Sequence, residues 1–221
     1  MMALGATLLG GCKKADSPPP LAPAGNAVAN AAPPPAPLVK PPPTAVPSPI
    51  PSPAAPTAPD QIGAFAATLV DLAPGGRTAP IDASKLEGLT AFILVGTKCP
   101  ASNAYRDRMR ALAKDYGPKG VRFVFVYPNS DDTPDIKRGF HQQAAYAAPM
   151  IDDQGGQVAR ALKATRTSEV IVADKSGRVV YRGPVDDNRN AALAKEPMLA
   201  RALDETLAGK PVTKPFAQVF A

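Results

Sequence analysis

The sequence predicts an α/β domain in which a mixed central sheet lies between helix layers, preceded by a disordered proline-rich linker. Three observations carry this. Leu89 to Gly96 and Val121 to Tyr127 are nearly continuous apolar runs, as expected of strands covered on both faces. A helical stripe separates them. Further on, Glu169 to Ala173 and Arg178 to Arg182 flank Asp174-Lys175-Ser176-Gly177, a hairpin turn composition.

The chain opens with MMALGATLLGGC. Residues 1–12 are short, apolar and rich in small residues, the composition of a signal-peptide core and cleavage site. Leu9-Gly10-Gly11-Cys12 matches a bacterial lipobox, which makes Cys12 the expected lipidation site. No Lys or Arg precedes the apolar run. Lys13 and Lys14 follow the Cys, and no Asp holds the second mature position, which favours outer-membrane over inner-membrane retention. Residues 13–59 form the linker. Residues 18 to 59 hold 17 of the 28 prolines. Such a segment lacks donors for a helix and apolar area for a core. An extended spacer reaching on the order of 100 Å follows, at ~3.1 Å per residue.

The folded domain is assigned to residues 60–221, long enough to bury roughly 70% of its unfolded surface. Phe65 to Leu72 predicts a strand, ended by Pro74-Gly75-Gly76. Ala101, Tyr105, Met109, Leu112 and Tyr116 recur at helical spacing. Thr133-Pro134-Asp135 caps a second helix with Ile136, Phe140, Ala144 and Ala147 as its stripe. A short helix is expected over Gln157 to Lys163. The last begins near Lys195 to Pro197, carries Leu199, Ala202, Leu203 and Leu207, and stops at Gly209. A strand joined by a helix to its neighbour demands a parallel crossover, whereas the hairpin adds antiparallel strands.

Composition excludes several functions. Two Cys and one His rule out a disulfide-dense scaffold or a four-thiolate zinc site, and supply too few soft ligands for metal chaperoning. No metal and no cofactor are expected. A net charge of +6 without an interleaved aromatic pattern does not indicate nucleic-acid binding. No run of eighteen apolar residues encodes a spanning helix.

Cys99 lies between a strand and the helix opened by Pro100. A thiol there meets free backbone N–H groups and the positive end of the helix dipole. Both favour thiolate, the nucleophilic form, and Lys98 is expected to add to the effect. A buried, inert Cys is the competing expectation.

The chain resembles the thioredoxin-fold redoxins, which include the alkyl hydroperoxide reductase/thiol-specific antioxidant group and envelope-tethered thiol–disulfide oxidoreductases. The resemblance rests on Cys99-Pro100-Ala101-Ser102-Asn103-Ala104-Tyr105, Gly120-Val121-Arg122-Phe123, Thr165 to Gly177, and Tyr181-Arg182-Gly183-Pro184-Val185-Asp186-Asp187. It implies a three-layer thioredoxin-like fold and a catalytic site at Cys99, Ser102 and Thr97. It further implies substrate contacts from Pro100, Arg166, Thr167 and Ser168. There are departures. Ser102 replaces the resolving Cys, so an intramolecular dithiol cycle is excluded. Ser168 holds the position of the family's cis-proline. Thr97 stands one place from the peroxidase-type Thr.

Together with the lipobox, the resemblance implies an envelope-tethered, lipid-anchored, periplasm-facing redoxin using one reactive Cys for thiol–disulfide exchange or peroxide reduction. Its partners would be protein or small-molecule thiols, disulfides or peroxides, with the membrane reached through the lipid on Cys12. The alternative is a degenerate redoxin domain serving as a protein-binding module. His141 is expected as a solvated helix residue. The pairs Asp131-Asp132, Asp152-Asp153 and Asp186-Asp187 are expected in turns and caps, since their spacing is not that of an oxygen-ligand calcium loop.

Overall fold

A computed structural model of the chain describes residues 60–219. The leader, the linker and Cys12 lie outside the described residues. The strands are β1 (Ala66–Val70), β2 (Thr78–Asp82), β3 (Leu89–Leu94), β4 (Val121–Tyr127), β5 (Met150–Asp152), β6 (Val170–Ala173) and β7 (Val179–Gly183). The helices are α1 (Pro100–Tyr116), α2 (Pro134–Ala144), α3 (Gln157–Ala161) and α4 (Met198–Leu207). One mixed sheet forms in the order β2-β1-β5-β4-β3-β6-β7. The crossovers through α1 and α2 make β3, β4 and β5 parallel, while β6 runs antiparallel to both β3 and β7.

The continuous apolar runs follow from cover on both faces. Ala91, Ile93, Val95, Phe123, Phe125 and Tyr127 point to one side and pack against α1, α2 and α4. Phe92, Leu94, Val124 and Val126 point to the other, where Phe65, Leu69, Val158 and Leu162 meet them. The β6–β7 hairpin turns as its composition demands. Gly177 is left-handed at φ 78°, and Asp174 Oδ1 accepts the N–H groups of Ser176 and Arg178.

Two strands escape the sequence pattern. β5 has three residues, too few for a periodicity. β2 contains Pro80, which a central strand would reject but an edge strand accepts. The expected stripe of α2 also needs correction. Lys137, His141 and Ala144 are buried, whereas Ile136 is 47% exposed and Ala147 lies beyond the helix. Polar side chains won this face because each finds a partner. Lys137 Nζ meets Asp152 Oδ1 at 2.6 Å.

His141 is therefore not the solvated residue expected; it is 1% exposed. Its Nε2 lies 2.9 Å from the carbonyl oxygen of Ala148, which can only accept, so Nε2 carries the proton. Nδ1 then accepts from the Tyr127 hydroxyl at 3.1 Å. Burial pushes the imidazole down to about 4 despite the Ala148 contact, and keeps it neutral.

The rotated face of α2 is testable by urea unfolding. Met109→Ala, in the fully buried stripe of α1, is expected to cost about 2–5 kcal/mol. Ile136→Ala is expected to stay within about 0.5 kcal/mol of the parent. A large loss at Ile136 would contradict the packing described.

Candidate functional site

Strand direction gathers the site at one end of the sheet. β3 and β4 are parallel, so the segments after their C-terminal ends lie side by side. β6 is antiparallel to β3, so the segment before β6 arrives at the same end. Three loops meet there: residues 96–99, 128–133 and 165–169. Ligand sites in open α/β sheets favour such an edge, beyond the carboxyl ends of the strands.

Cys99 is the residue immediately before α1, with extended backbone, and Pro100 takes the first helical position. Its side chain is half-buried. The hydroxyl of Thr167 donates to Cys99 Sγ at 3.0 Å. Partial burial pushes the thiol up. The Thr167 hydroxyl, the N–H and hydroxyl of Ser102 and the N–H of Ala101 together outweigh it and hold the thiol below its ordinary value. Anion stabilisation by hydrogen bonds at a helix start is the expected physics.

Ser102 is fully buried on the first turn of α1. Its oxygen accepts the N–H of Gly96 at 3.1 Å and lies 3.0 Å from the Ser168 hydroxyl. If Ser168 donates to Ser102, the proton of Ser102 is free to face the sulfur, and every hydroxyl in the chain of contacts is used. Ser168 is itself buried in a left-handed conformation, φ 66°. That backbone is costly for a non-glycine residue. It is held by the bond from Ser168 N–H to the Leu94 carbonyl at 2.6 Å.

The loop before β6 has its own brace. Glu169, almost fully buried, accepts the N–H of Thr165 at 2.7 Å and its hydroxyl at 3.1 Å. Arg182 reaches Glu169 at 3.4 Å and Asp60 at 2.9 Å. Gly96 is needed where the loops touch. A Cβ there would stand 3.1 Å from both Cys99 Cβ and Thr167 Cγ2.

The other expected site residues sit as follows. The hydroxyl of Thr97 donates to Asp132 Oδ2 at 2.6 Å and is not directed at the sulfur. Lys98, expected to add charge beside the thiol, is instead 3.1 Å from Asp132 Oδ1. Pro100 is exposed at the helix start. Arg166 donates to the Val219 carbonyl at 2.9 Å and so faces the C-terminal segment. The remaining acidic residues brace the fold. Asp153 accepts N–H groups at the start of α3, Asp186 pairs with Arg108, and Asp187 accepts the N–H groups of Lys195 and Glu196. Among the described residues, no group of three potential ligands is arranged to hold a metal. A pocket of about 180 Å³ lies between α1 and α4, and Cys99 is not part of its lining.

The family model described as Redoxin matches residues 57–203. The chain belongs to the redoxin family. Its mixed sheet with helices on both faces is the thioredoxin-like fold the resemblance implied, and its role is of the redox class. This redoxin is similar to an uncharacterized conserved protein from Geobacillus kaustophilus, with 29% identity over 70% of this chain and 84% of that one, TM-score 0.61. It is also similar in fold to a hypothetical protein from Sinorhizobium meliloti, with 23% identity over 72% and 89% of the two chains, TM-score 0.60. No curated protein sequence matches. No helix among the described residues is long and apolar enough to cross a membrane.

The sequence places Asp132 in a turn without its contacts to Thr97 and Lys98, gives no sign of the Glu169–Arg182 brace of this redoxin, and marks Thr167 only as a substrate contact. A signal for Asp132 was present. Once β3 and β4 are read as parallel neighbours, the residues just beyond Tyr127 must adjoin those just beyond Gly96.

Replacing the sulfur's hydrogen-bond donor should weaken the thiolate. Thr167→Val is expected to raise the midpoint of Cys99 alkylation by about one pH unit, a charged hydrogen bond being worth roughly 1.5 kcal/mol. Gly96→Ala, which forces Cys99 and Thr167 apart, should move it the same way. An unmoved midpoint in Thr167→Val would refute the contact's role.

Proposed function

We propose that the protein is a lipid-tethered monothiol redoxin of the bacterial envelope that performs thiol–disulfide exchange through Cys99. The observation that carries this is the Thr167–Cys99 hydrogen bond at the opening of α1. It poises a half-buried sulfur as an anion without sealing it away. The thiolate attacks one sulfur of a disulfide R–S–S–R′. A Cys99–S–S–R bond forms and R′–S⁻ leaves. An external thiolate then attacks the sulfur of R, and Cys99 leaves as thiolate. Ser102 stands where a resolving Cys would and cannot close a second disulfide, so the mixed disulfide persists until that thiol arrives.

Peroxide reduction, the other chemistry of the resemblance, is served less well. The Thr97 hydroxyl is committed to Asp132 and the Arg166 guanidinium to Val219. No cationic side chain among the described residues hydrogen-bonds the sulfur. The leader and lipobox of residues 1–12, with Cys12 as the anchor and residues 13–59 as tether, would hold the domain of residues 60–221 off an envelope membrane. The outer membrane is favoured.

Mass spectrometry after glutathione disulfide is expected to find one glutathione on Cys99, stable until a thiol is added and absent in Cys99→Ser. Ser102→Cys should convert that adduct into a short-lived species that resolves to an internal disulfide. An unmodified Cys99 in folded protein would leave the binding-module alternative standing. The tether has a separate test. Cells supplied with labelled palmitate should label the native chain and not Cys12→Ser; equal labelling, or none, would remove the anchor.

A further inference from the structure

Thr97 and Lys98, the two residues that lead into Cys99, send their side chains to one buried carboxylate. Asp132 is 1% exposed and belongs to a different loop, the one after β4. It accepts the Thr97 hydroxyl at 2.6 Å through Oδ2, and Lys98 Nζ stands 3.1 Å from Oδ1. The Thr97 hydrogen bond, opposed by burial and reinforced by Lys98 and Lys137, holds the Asp132 carboxyl below the ordinary carboxylate range. It is therefore charged wherever a thiol titrates. From α2, Lys137 is the further charge near it, but that ammonium is fully buried and paired with Asp152 of β5 at 2.6 Å. Asp131 beside it is exposed.

A lysine next to a cysteine ordinarily lowers the thiol's pKa. Here the lysine is already paired. We infer that Asp132 is a positioning residue of the thiol site: it anchors the Thr97–Cys99 turn and neutralises Lys98, leaving the Thr167 hydrogen bond to set the reactivity of Cys99. This rests on the reading of Cys99 as a reactive thiolate and names what tunes it. The tuning has a chemical consequence. A thiolate of lower pKa is a weaker nucleophile and a better leaving group. Asp132 thus keeps the Cys99 thiolate, once formed, a stronger nucleophile and makes its mixed disulfide slower to be released by an incoming thiol.

The test is the rate of iodoacetamide alkylation of Cys99 against pH in the full chain, in native, Asp132→Asn, Lys98→Gln and doubly substituted forms. The carboxamide oxygen introduced by Asp132→Asn can still accept the Thr97 hydroxyl, so this change removes the charge and keeps the anchor. Its midpoint is expected to fall by about half a pH unit, the effect of one partly solvent-screened cation several ångströms away. Lys98→Gln alone is expected to raise it by a similar amount, because it uncovers the buried Asp132 carboxylate. The double variant should return to the native midpoint. A folded Asp132→Asn with an unmoved midpoint would overturn the inference. So would an unmoved Lys98→Gln midpoint, and that arm changes only an exposed side chain, so it stands whether or not Asp132→Asn folds. A native midpoint at the ordinary ~8.5 would instead sink the reactive-thiol reading itself; a lowered native midpoint that neither Asp132→Asn nor Lys98→Gln moves would sink this inference alone.

Discussion

The hydrogen bond from Thr167 to Cys99 exists because β6 runs antiparallel beside β3. That pairing brings residue 167 to the strand end where α1 begins, although 68 positions separate the two in sequence. A thiol at a helix opening has backbone donors on one side only. The loop before β6 supplies the other side. Without it, partial burial would push the sulfur towards the neutral thiol. With it, donors from two chain segments converge on one atom, and burial is outweighed.

Convergence of this kind needs rigid loops, and several interactions hold them in place. Ser168 sits in left-handed backbone at φ 66°, held between the Leu94 carbonyl and Ser102. Glu169 and Arg182 fasten the same loop from the side of β7, with Asp60 as a third member. Removing one partner from a buried ion pair leaves an uncompensated charge, so these residues act as a unit. Strain and bracing at the one place where a hydroxyl must meet a sulfur are consistent with a site kept for chemistry.

Much of this architecture was legible in the sequence, and the failures have physical causes. The apolar runs of β3 and β4, the hairpin around Gly177 and the start of α1 at Pro100 were each dictated by local chemistry. So was the placing of Cys99 just before that helix. The buried face of α2 was not, because hydrophobicity ranks Ile136 above Lys137 and His141, yet those two polar side chains meet Asp152, Tyr127 and the Ala148 carbonyl in the interior. β5 carries no pattern in three residues. The sulfur's partner Thr167 and the carboxylate of Asp132 depend on which loops share an end of the sheet, a property of strand order that only becomes visible once the pairing is known. Lys98 shows the limit of local reading most clearly. Adjacent to Cys99 in sequence, it directs its charge elsewhere.

The chemistry of this site turns on whether the sulfur of Cys99 is an anion near neutral pH. The most direct measurement is a titration of thiolate ultraviolet absorbance, taken as the difference between the native chain and Cys99→Ser. A poised thiolate gives a midpoint clearly below the ordinary ~8.5 of a free cysteine. A midpoint at or above that value, in folded protein, would contradict it.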